Sequence, residues 1–417
     1  MSPKHRSRRE FLKSAAVGAA AAVTAQFTAR SYARVIGAND RIMIGQIGCG
    51  DRGRQAHMKQ VQQFAKEENV EIVAVCDPWG EMREQAAALV KEWYGRDPRK
   101  FARWQDLVAL PDVDAVTIAS PDHLHPAILA AAANAGKDAY CEKPWAMTLD
   151  DLKMMADAVK KNNRIVQAGT QLRSMASFTG CRKLVQSGAL GRIFKAEQVR
   201  NGYRPYWHNY AKRPIKESDV DWKAFLGPLP DRPFNAKLLA GWYGYRETSS
   251  GPIGGFMSHF IDLVHYITGE KFPKSAVTLQ GKKVWEDDFT CPEVVHTILE
   301  YPSGMLVSYA TTFGNGSGNL MHFFGKRGMI DSTEWEKPTV TGRGSEEPDK
   351  IKDGPVEPVE MTHHMQNWLQ CLRTRKQPNA DVDAGYQHGV ACILSDMAMV
   401  SGRRMLYDAE KREITAG

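Results

Sequence analysis

The sequence predicts an α/β protein in which a parallel sheet wound with helices is followed by a second domain. Three observations lead there. A short apolar run ends in a glycine-rich turn at Gly48–Gly53, strands and helices alternate over the next hundred residues, and 417 residues are enough for two cores of ordinary size.

The first strand is read at Ile42–Ile47, feeding into Gly48-Cys49-Gly50-Asp51-Arg52-Gly53 and a helix-compatible segment. In such a turn the first glycine allows the bend, the second lets backbone approach a pyrophosphate, and the third lets helix and strand pack closely. The helix N-terminus attracts the phosphate charge. Gly48, Gly50, Asp51, Arg52 and Gly53 are therefore candidate cofactor residues. The second strand, Val70–Cys76, ends in Asp77, the spacing at which an acidic side chain binds the ribose hydroxyls of NAD; its charge would repel the extra phosphate of NADP. The alternative role of Asp77 is to open the turn Asp77-Pro78.

A helix follows over Ala87–Trp93, then a strand at Val113–Ala119, a helix at His125–Ala135 and a strand at Asp138–Cys141, which runs into Glu142-Lys143-Pro144. Parallel sheets bind ligands beyond the carboxyl ends of their strands. The segment Ser120–His125 and the Glu-Lys-Pro tripeptide should thus share one rim with the glycine turn. Ser120, Pro121, His125, Glu142 and Lys143 join the cofactor candidates.

Composition narrows the function. The apolar and charged fractions are those of a soluble globular protein. Of the net charge of +7, the first 33 residues hold six Lys/Arg against one Glu, so the remainder carries only +2 and nucleic acid is not implied. Ser7-Arg8-Arg9-Glu10-Phe11-Leu12-Lys13 is a twin-arginine pattern followed by a small, apolar run too short to span a bilayer. It predicts an export signal over residues 1–33, cleaved after Ala33, with Ala25 and Ala29 as competing sites, and a periplasmic or otherwise exported enzyme that keeps its nucleotide tightly bound. Seven cysteines without CxxC spacing point to neither a zinc site nor a disulfide framework, and no metal is expected.

Taken together, Gly48–Gly53, the Pro121–His125 loop and Glu142-Lys143-Pro144 resemble the Gfo/Idh/MocA oxidoreductases, named for glucose-fructose oxidoreductase and inositol dehydrogenase. The resemblance runs from about Ala38 to the end. It implies NAD as cofactor, a Rossmann domain over 38–160, and a substrate and oligomerisation domain over 161–417 built on a large, mainly antiparallel open sheet. A homo-oligomer is implied with it. In that family the lysine of the tripeptide reaches both the nicotinamide ribose and the substrate hydroxyl, which implies those contacts for Lys143. A cation there stabilises the alkoxide that forms as hydride leaves.

Strands consistent with the second domain are read at Arg192–Arg200, Val294–Tyr301 and Gly304–Thr312, with closing helices near Thr362–Thr374 and Gly385–Arg403 and a long surface loop at Thr341–Pro358. The substrate side is marked by Gly251–Asp262, which resembles the family element carrying an acid/base histidine. His259 is the candidate base, since imidazole titrates near neutrality. Asp262 shares its helical face and is expected to orient the ring. Many relatives carry an aspartate four residues before this histidine; here that position is Gly255, which leaves the lysine, aspartate and histidine trio incomplete and space for a larger sugar. Gln171 and Arg173, after a strand at Ile165–Ala168, resemble residues at the nicotinamide end, with Arg173 either on a substrate oxygen or at the surface.

Aromatic residues gather at Tyr203, Tyr206, Trp207, His208 and Tyr210 and at Trp242, Tyr243 and Tyr245. Sugar platforms and core packing both explain them; Tyr203, Trp207 and Trp242 are taken as substrate candidates. The residues and the resemblance support three readings. The first is an NAD-dependent oxidoreductase acting on a hydroxyl of a sugar, sugar derivative or cyclitol. The second is a glycoside hydrolase or lyase in which captive NAD transiently oxidises the sugar. The third, a non-catalytic sugar sensor, is opposed by Lys143 and His259.

Overall fold

A computed structural model describes residues 41–210 and 212–417. The expected export signal lies outside the described residues. Six strands, β1 (Ile42–Ile47), β2 (Val70–Cys76), β3 (Arg99–Phe101), β4 (Ala115–Ile118), β5 (Asp138–Cys141) and β6 (Val166–Ala168), form a wholly parallel sheet in the order β3-β2-β1-β4-β5-β6. Helices cover both faces, so the inner strands β1, β2 and β4 are mostly apolar and almost fully buried, while the edge strand β3 is polar and partly exposed. The exception in β2 is Glu71, 1% exposed, whose carboxylate is met by Arg41 and Arg96 at the sheet edge. The strand order reverses at β1/β4, and ligands of such sheets bind at this switch point, beyond the strand ends.

The second sheet has ten strands: β7 (Ile193–Val199), β8 (Ser275–Gln280), β9 (Val294–Glu300), β10 (Leu306–Thr312), β11 (Leu320–Gly325), β12 (Gly328–Asp331), β13 (Thr339–Thr341), β14 (Gly354–Pro355), β15 (Met405–Asp408) and β16 (Glu413–Ala416). Their order is β14-β13-β12-β11-β7-β10-β9-β8-β15-β16, antiparallel except for the β7/β10 pair. In β9 and β10 burial alternates residue by residue, the mark of a sheet covered on one face. The helices Ser258–Thr268 and Val382–Ser401 lie on the covered side. Val277, Leu279, Ile298 and Leu306 stay exposed on strands β8 to β10.

Four features depart from the sequence reading. Strand β6 belongs to the parallel sheet, so that domain extends past residue 160. The helix expected over 87–93 spans Gly80–Tyr94. β8 escaped because its pattern is inverted: Ala276 and Thr278 are buried while Val277 and Leu279 face out. Within the stretch read as a loop, Gly354–Pro355 pairs with β13.

The C-terminal helices tie the domains together. His364–Thr374 packs on the helix Lys59–Phe64 that follows the glycine turn, and the Ala168 N–H donates to the Ala380 carbonyl at 2.8 Å. The helix Val382–Ser401 presents two glycines where the chain comes closest: a Cβ on Gly385 would lie 2.5 Å from the Trp145 ring, and one on Gly389 2.9 Å from Leu152. All seven cysteines are buried and in no disulfide. Gly385→Ala should overpack the Trp145 contact and cost about 1–3 kcal/mol in chemical denaturation; a loss inside the experimental error would mean that the helix yields freely there.

Candidate active site

The glycine turn has the geometry its spacing predicts. Gly48 adopts φ +83°, and a Cβ there would meet the Ala119 backbone at 2.4 Å; one on Gly53 would meet the Gly48 carbonyl at 2.0 Å. Around Gly50 a Cβ would meet nothing within 4 Å. The first and third glycines thus serve packing, and the second leaves backbone open toward a cavity of about 440 Å³. Gly48, Gly50, Asp51, Arg52, Asp77, Ser120 and Pro121 border that cavity from the parallel sheet, and Tyr210, Arg213, Trp242 and Tyr243 close it from the second domain. The helix beyond the turn begins with six π-wound residues, Gly53–Met58. A dinucleotide fits this cradle: open backbone at Gly50, a helix start and an acid at the end of β2.

Asp77 takes the turn-fixing role and borders the cavity where a nucleotide ribose is expected. Its Oδ2 accepts the Cys49 N–H at 2.7 Å and its Oδ1 the Trp79 N–H at 2.9 Å, which fixes the turn. Burial pushes its carboxyl up to about 6 against these bonds. A carboxylate has lone pairs left for ribose hydroxyls. Asp51 is bracketed by Arg54 at 3.2 Å and by Arg213 at 2.8 Å. Its carboxylate therefore anchors two guanidiniums beside the phosphate site, one of them from the second domain.

On the rim, Glu142 is 5% exposed. Its Oε1 takes Arg52 Nε at 2.5 Å and faces His57 Nε2 at 2.9 Å. Burial opposes this charge, yet Arg52, His57 and Lys143 together hold the carboxyl well below the ordinary range. Arg52 also reaches Gln171 Oε1 at 3.4 Å, so glycine turn, tripeptide and the segment after β6 meet as expected. Lys143, followed by a cis bond to Pro144, donates from Nζ to the Gly255 carbonyl at 2.8 Å. Burial lowers its affinity for the proton, with Glu142 and Asp122 pulling the other way.

Gly255 lies one turn before His259, in the π-wound segment Ile253–Met257 that leads into Ser258–Thr268. Lys143 and His259 are thereby brought to one end of that helix. Burial and the nearby Lys143 cation push His259 well below its usual range, and its buried Nδ1 has no hydrogen-bond partner among the described residues. A neutral imidazole can accept a proton.

Several expectations are corrected. Asp262 does not orient His259: its Oδ2 accepts Arg173 Nε at 2.6 Å, and His388 Nδ1 approaches Oδ1 at 3.7 Å. Burial opposes the carboxylate, but Arg173 and His388 hold it at about 2. Arg173 is accordingly a buried ion-pair partner, neither a surface residue nor a substrate ligand. His125 is 1% exposed, with its ring nitrogens 2.9 and 2.7 Å from the Ser120 and Pro144 carbonyls, one of which a neutral ring can donate to, so it packs inside the rim between the two segments. Trp207 is fully buried against Phe289 and Phe313, a core ring. Trp242 stacks on Tyr243 at 3.6 Å and lines the cavity beside the glycine turn. Tyr203 stands 66% exposed beneath Arg204. The room expected at Gly255 is filled: a Cβ there would lie 2.7 Å from the Tyr206 hydroxyl, which is buried and unpartnered among the described residues.

Arg200 and Asp122 escaped the sequence reading, and Tyr206 was read only as one of an aromatic cluster. Tyr206 and Arg200 approach the Gly255 end through Phe256. Asp122 was passed over inside a recognised loop, although an acid between Pro121 and His123 was a visible signal. Its Oδ2 accepts Ser249 Oγ at 3.0 Å and the Ser250 N–H at 3.3 Å, and burial pushes it up to about 7 despite Lys143. Away from this site, His208, Asp287 and Glu293 bring potential metal ligands within 4.8 Å of one another. Lys283 already holds Asp287 there, at 2.5 Å.

The Asp122 shift has a measurable sign. Its folded pKa exceeds the unfolded value of about 3.9, so the folded state holds the proton more tightly. Relative to Asp122→Asn, the wild type should be most stable below about pH 4 and lose a few kcal/mol as pH rises through about 7. Parallel stability–pH curves for the two proteins would contradict the assignment.

Comparison with known proteins agrees with this geometry. Residues 42–170 match the family described as "Oxidoreductase family, NAD-binding Rossmann fold", and residues 182–396 match "Oxidoreductase family, C-terminal alpha/beta domain". A levoglucosan dehydrogenase of Pseudarthrobacter phenanthrenivorans is 32% identical over 174 residues, 42% of this chain and 38% of that protein. The chain thus matches well under half of that relative's length. A glycosyl hydrolase family 109 protein of Shewanella sp. W3-18-1 is 23% identical over 94% of this chain and 93% of its own. The fold is shared with a levoglucosan dehydrogenase solved with NADH and L-sorbose, at a TM-score of 0.65 and 19% identity over 90% of this chain and 98% of that one. The chain belongs to the Gfo/Idh/MocA oxidoreductase family and carries its NAD-binding domain.

Proposed function

We propose that this protein oxidises a hydroxyl of a sugar, sugar derivative or cyclitol by hydride transfer to NAD. The observation that carries the reading is the placement of Lys143, held on the Gly255 carbonyl, one helical turn from His259, whose buried Nδ1 has no hydrogen-bond partner among the described residues and whose protonation burial disfavours. Bound NAD supplies the hydride acceptor. His259 takes the hydroxyl proton as the carbon gives up hydride, and the Lys143 ammonium stabilises the negative charge developing on oxygen. Asp122, poised near neutrality beside Lys143, can accept a proton passed on from that centre. Sugars as the substrate class are supported by the names of the relatives, levoglucosan dehydrogenase among them.

A second reading has its own support. Similarity to family 109 glycosyl hydrolases runs over nearly the whole of both chains, and in a redox-assisted hydrolase the same proton and hydride steps open and close a cycle that leaves NAD unchanged. Export through the twin-arginine signal and a tightly held cofactor suit either enzyme. Val277, Leu279, Ile298 and Leu306 on the outer sheet face suit the self-association implied by the family.

A panel of sugars and aryl glycosides separates the two enzymes. Accumulating NADH without bond cleavage marks the dehydrogenase, and aglycone release without net NADH marks the hydrolase. Lys143→Ala should lower turnover about 10²–10³-fold or more with the nucleotide still bound; loss of nucleotide instead would make Lys143 chiefly a cofactor ligand.

A further inference from the structure

The arginines that structure this region meet carboxylates: Arg52 pairs with Glu142, Arg173 with Asp262, and Arg246 with Asp396 through two bonds of 2.9 and 2.7 Å. Arg200 differs. It leaves the end of β7 half-buried, with its guanidinium 4.3 Å from the Phe256 ring centroid and 5.1 Å from that of Trp335. Among the described residues its side chain has neither a carboxylate partner nor a hydrogen bond.

Its place is fixed by the rings around it. Phe256 follows Gly255, whose carbonyl holds Lys143 Nζ at 2.8 Å. Tyr206 packs on Phe256 with centroids 5.2 Å apart, and its unpartnered hydroxyl lies over Gly255. Lys143, Tyr206, Arg200 and the bare Nδ1 of His259 therefore gather around one short stretch of chain. Arg200 is near enough to disfavour protonation of both Lys143 and His259. Removing a guanidinium from water without a counter-charge is costly, and the acids that act on Lys143 are engaged: Glu142 by Arg52, and Asp122 by Ser249 and Ser250.

We propose that Arg200 and Tyr206 form a carboxylate subsite beside Lys143, and that the substrate is an acidic sugar, a uronate or an aldonate, in preference to a neutral one. This rests on the dehydrogenase reading of the same site. The guanidinium lies beside two aromatic rings with no acceptor among the described residues, and an arginine fork gives two parallel N–H···O bonds, the geometry a planar carboxylate matches. A sugar phosphate would ask for more cationic donors than remain, since Lys143 is on the Gly255 carbonyl and Arg52 on Glu142.

The test uses NAD-loaded full-length protein with methyl β-D-glucuronide, methyl β-D-glucoside and glucose 6-phosphate, following binding by calorimetry and turnover by NADH absorbance. The glucuronide should bind roughly 10-fold or more tightly than the glucoside, as a charge-assisted pair implies. Arg200→Gln should bring the ratio close to one, and Arg200→Lys, which keeps charge without the fork, should restore only part of it. Equal binding of the two glycosides, an unchanged ratio in Arg200→Gln, or tightest binding of the phosphate would each overturn the subsite. Selective glucuronide binding without NADH would leave the subsite standing and remove the dehydrogenase reading, whereas equal oxidation of both glycosides would do the reverse.

Discussion

The buried charge of Glu142 is the constraint on which the site is built. A carboxylate at 5% exposure is tolerated only when paired and hydrogen-bonded. Arg52 comes from the glycine turn, His57 from the helix behind it, and Lys143 follows Glu142 directly. One ionised side chain thus locks the glycine turn to the rim that holds Lys143. Gly169 completes the fit, since a Cβ there would lie 2.7 Å from the Glu142 carboxylate. The third strand-end, after β6, is shaped around the same charge.

From this lock the two domains become one machine. Arg213 crosses from the second domain to Asp51, and Trp242 and Tyr243 roof the nucleotide cavity. On the other side the helix Val382–Ser401 lies against Trp145 and Leu152 through glycines, which brings its backbone close to the Glu-Lys-Pro turn. The His259 end of the helix Ser258–Thr268 is therefore tied to Lys143 and to the segment after β6: the Gly255 carbonyl is bonded to Lys143 and the Asp262 side chain to Arg173.

What could be read from the sequence was local. Gly48, Gly50, Gly53 and Asp77 belong to a strand–turn–helix whose spacing carries its own chemistry, and Glu142-Lys143 sits at a strand end where a ligand belongs. What could not be read depends on contacts between distant segments. Asp262 shares a helical face with His259 by periodicity, yet Arg173, 89 residues earlier, claims it at 2.6 Å. Gly255 looked like open space because no local rule shows that Tyr206 fills it. Trp207 and Trp242 are both aromatic beside polar residues, and only packing separates a core ring from a cavity wall. The same limit hid β8, where the apolar residues face outward.

The seven thiols have a consequence for where such a fold can work. Each is buried and in no disulfide, and burial pushes the thiols up, to about 11 at Cys371, about 12 at Cys181 and well above the ordinary thiol range at Cys49, Cys76 and Cys141. Thiolate is the reactive form in oxidation and exchange, so these side chains behave as small apolar groups. No crosslink has to form for the core to close, and none is available to be reduced. The chain can reach its final packing in a reducing compartment and keep it unchanged in an oxidising one.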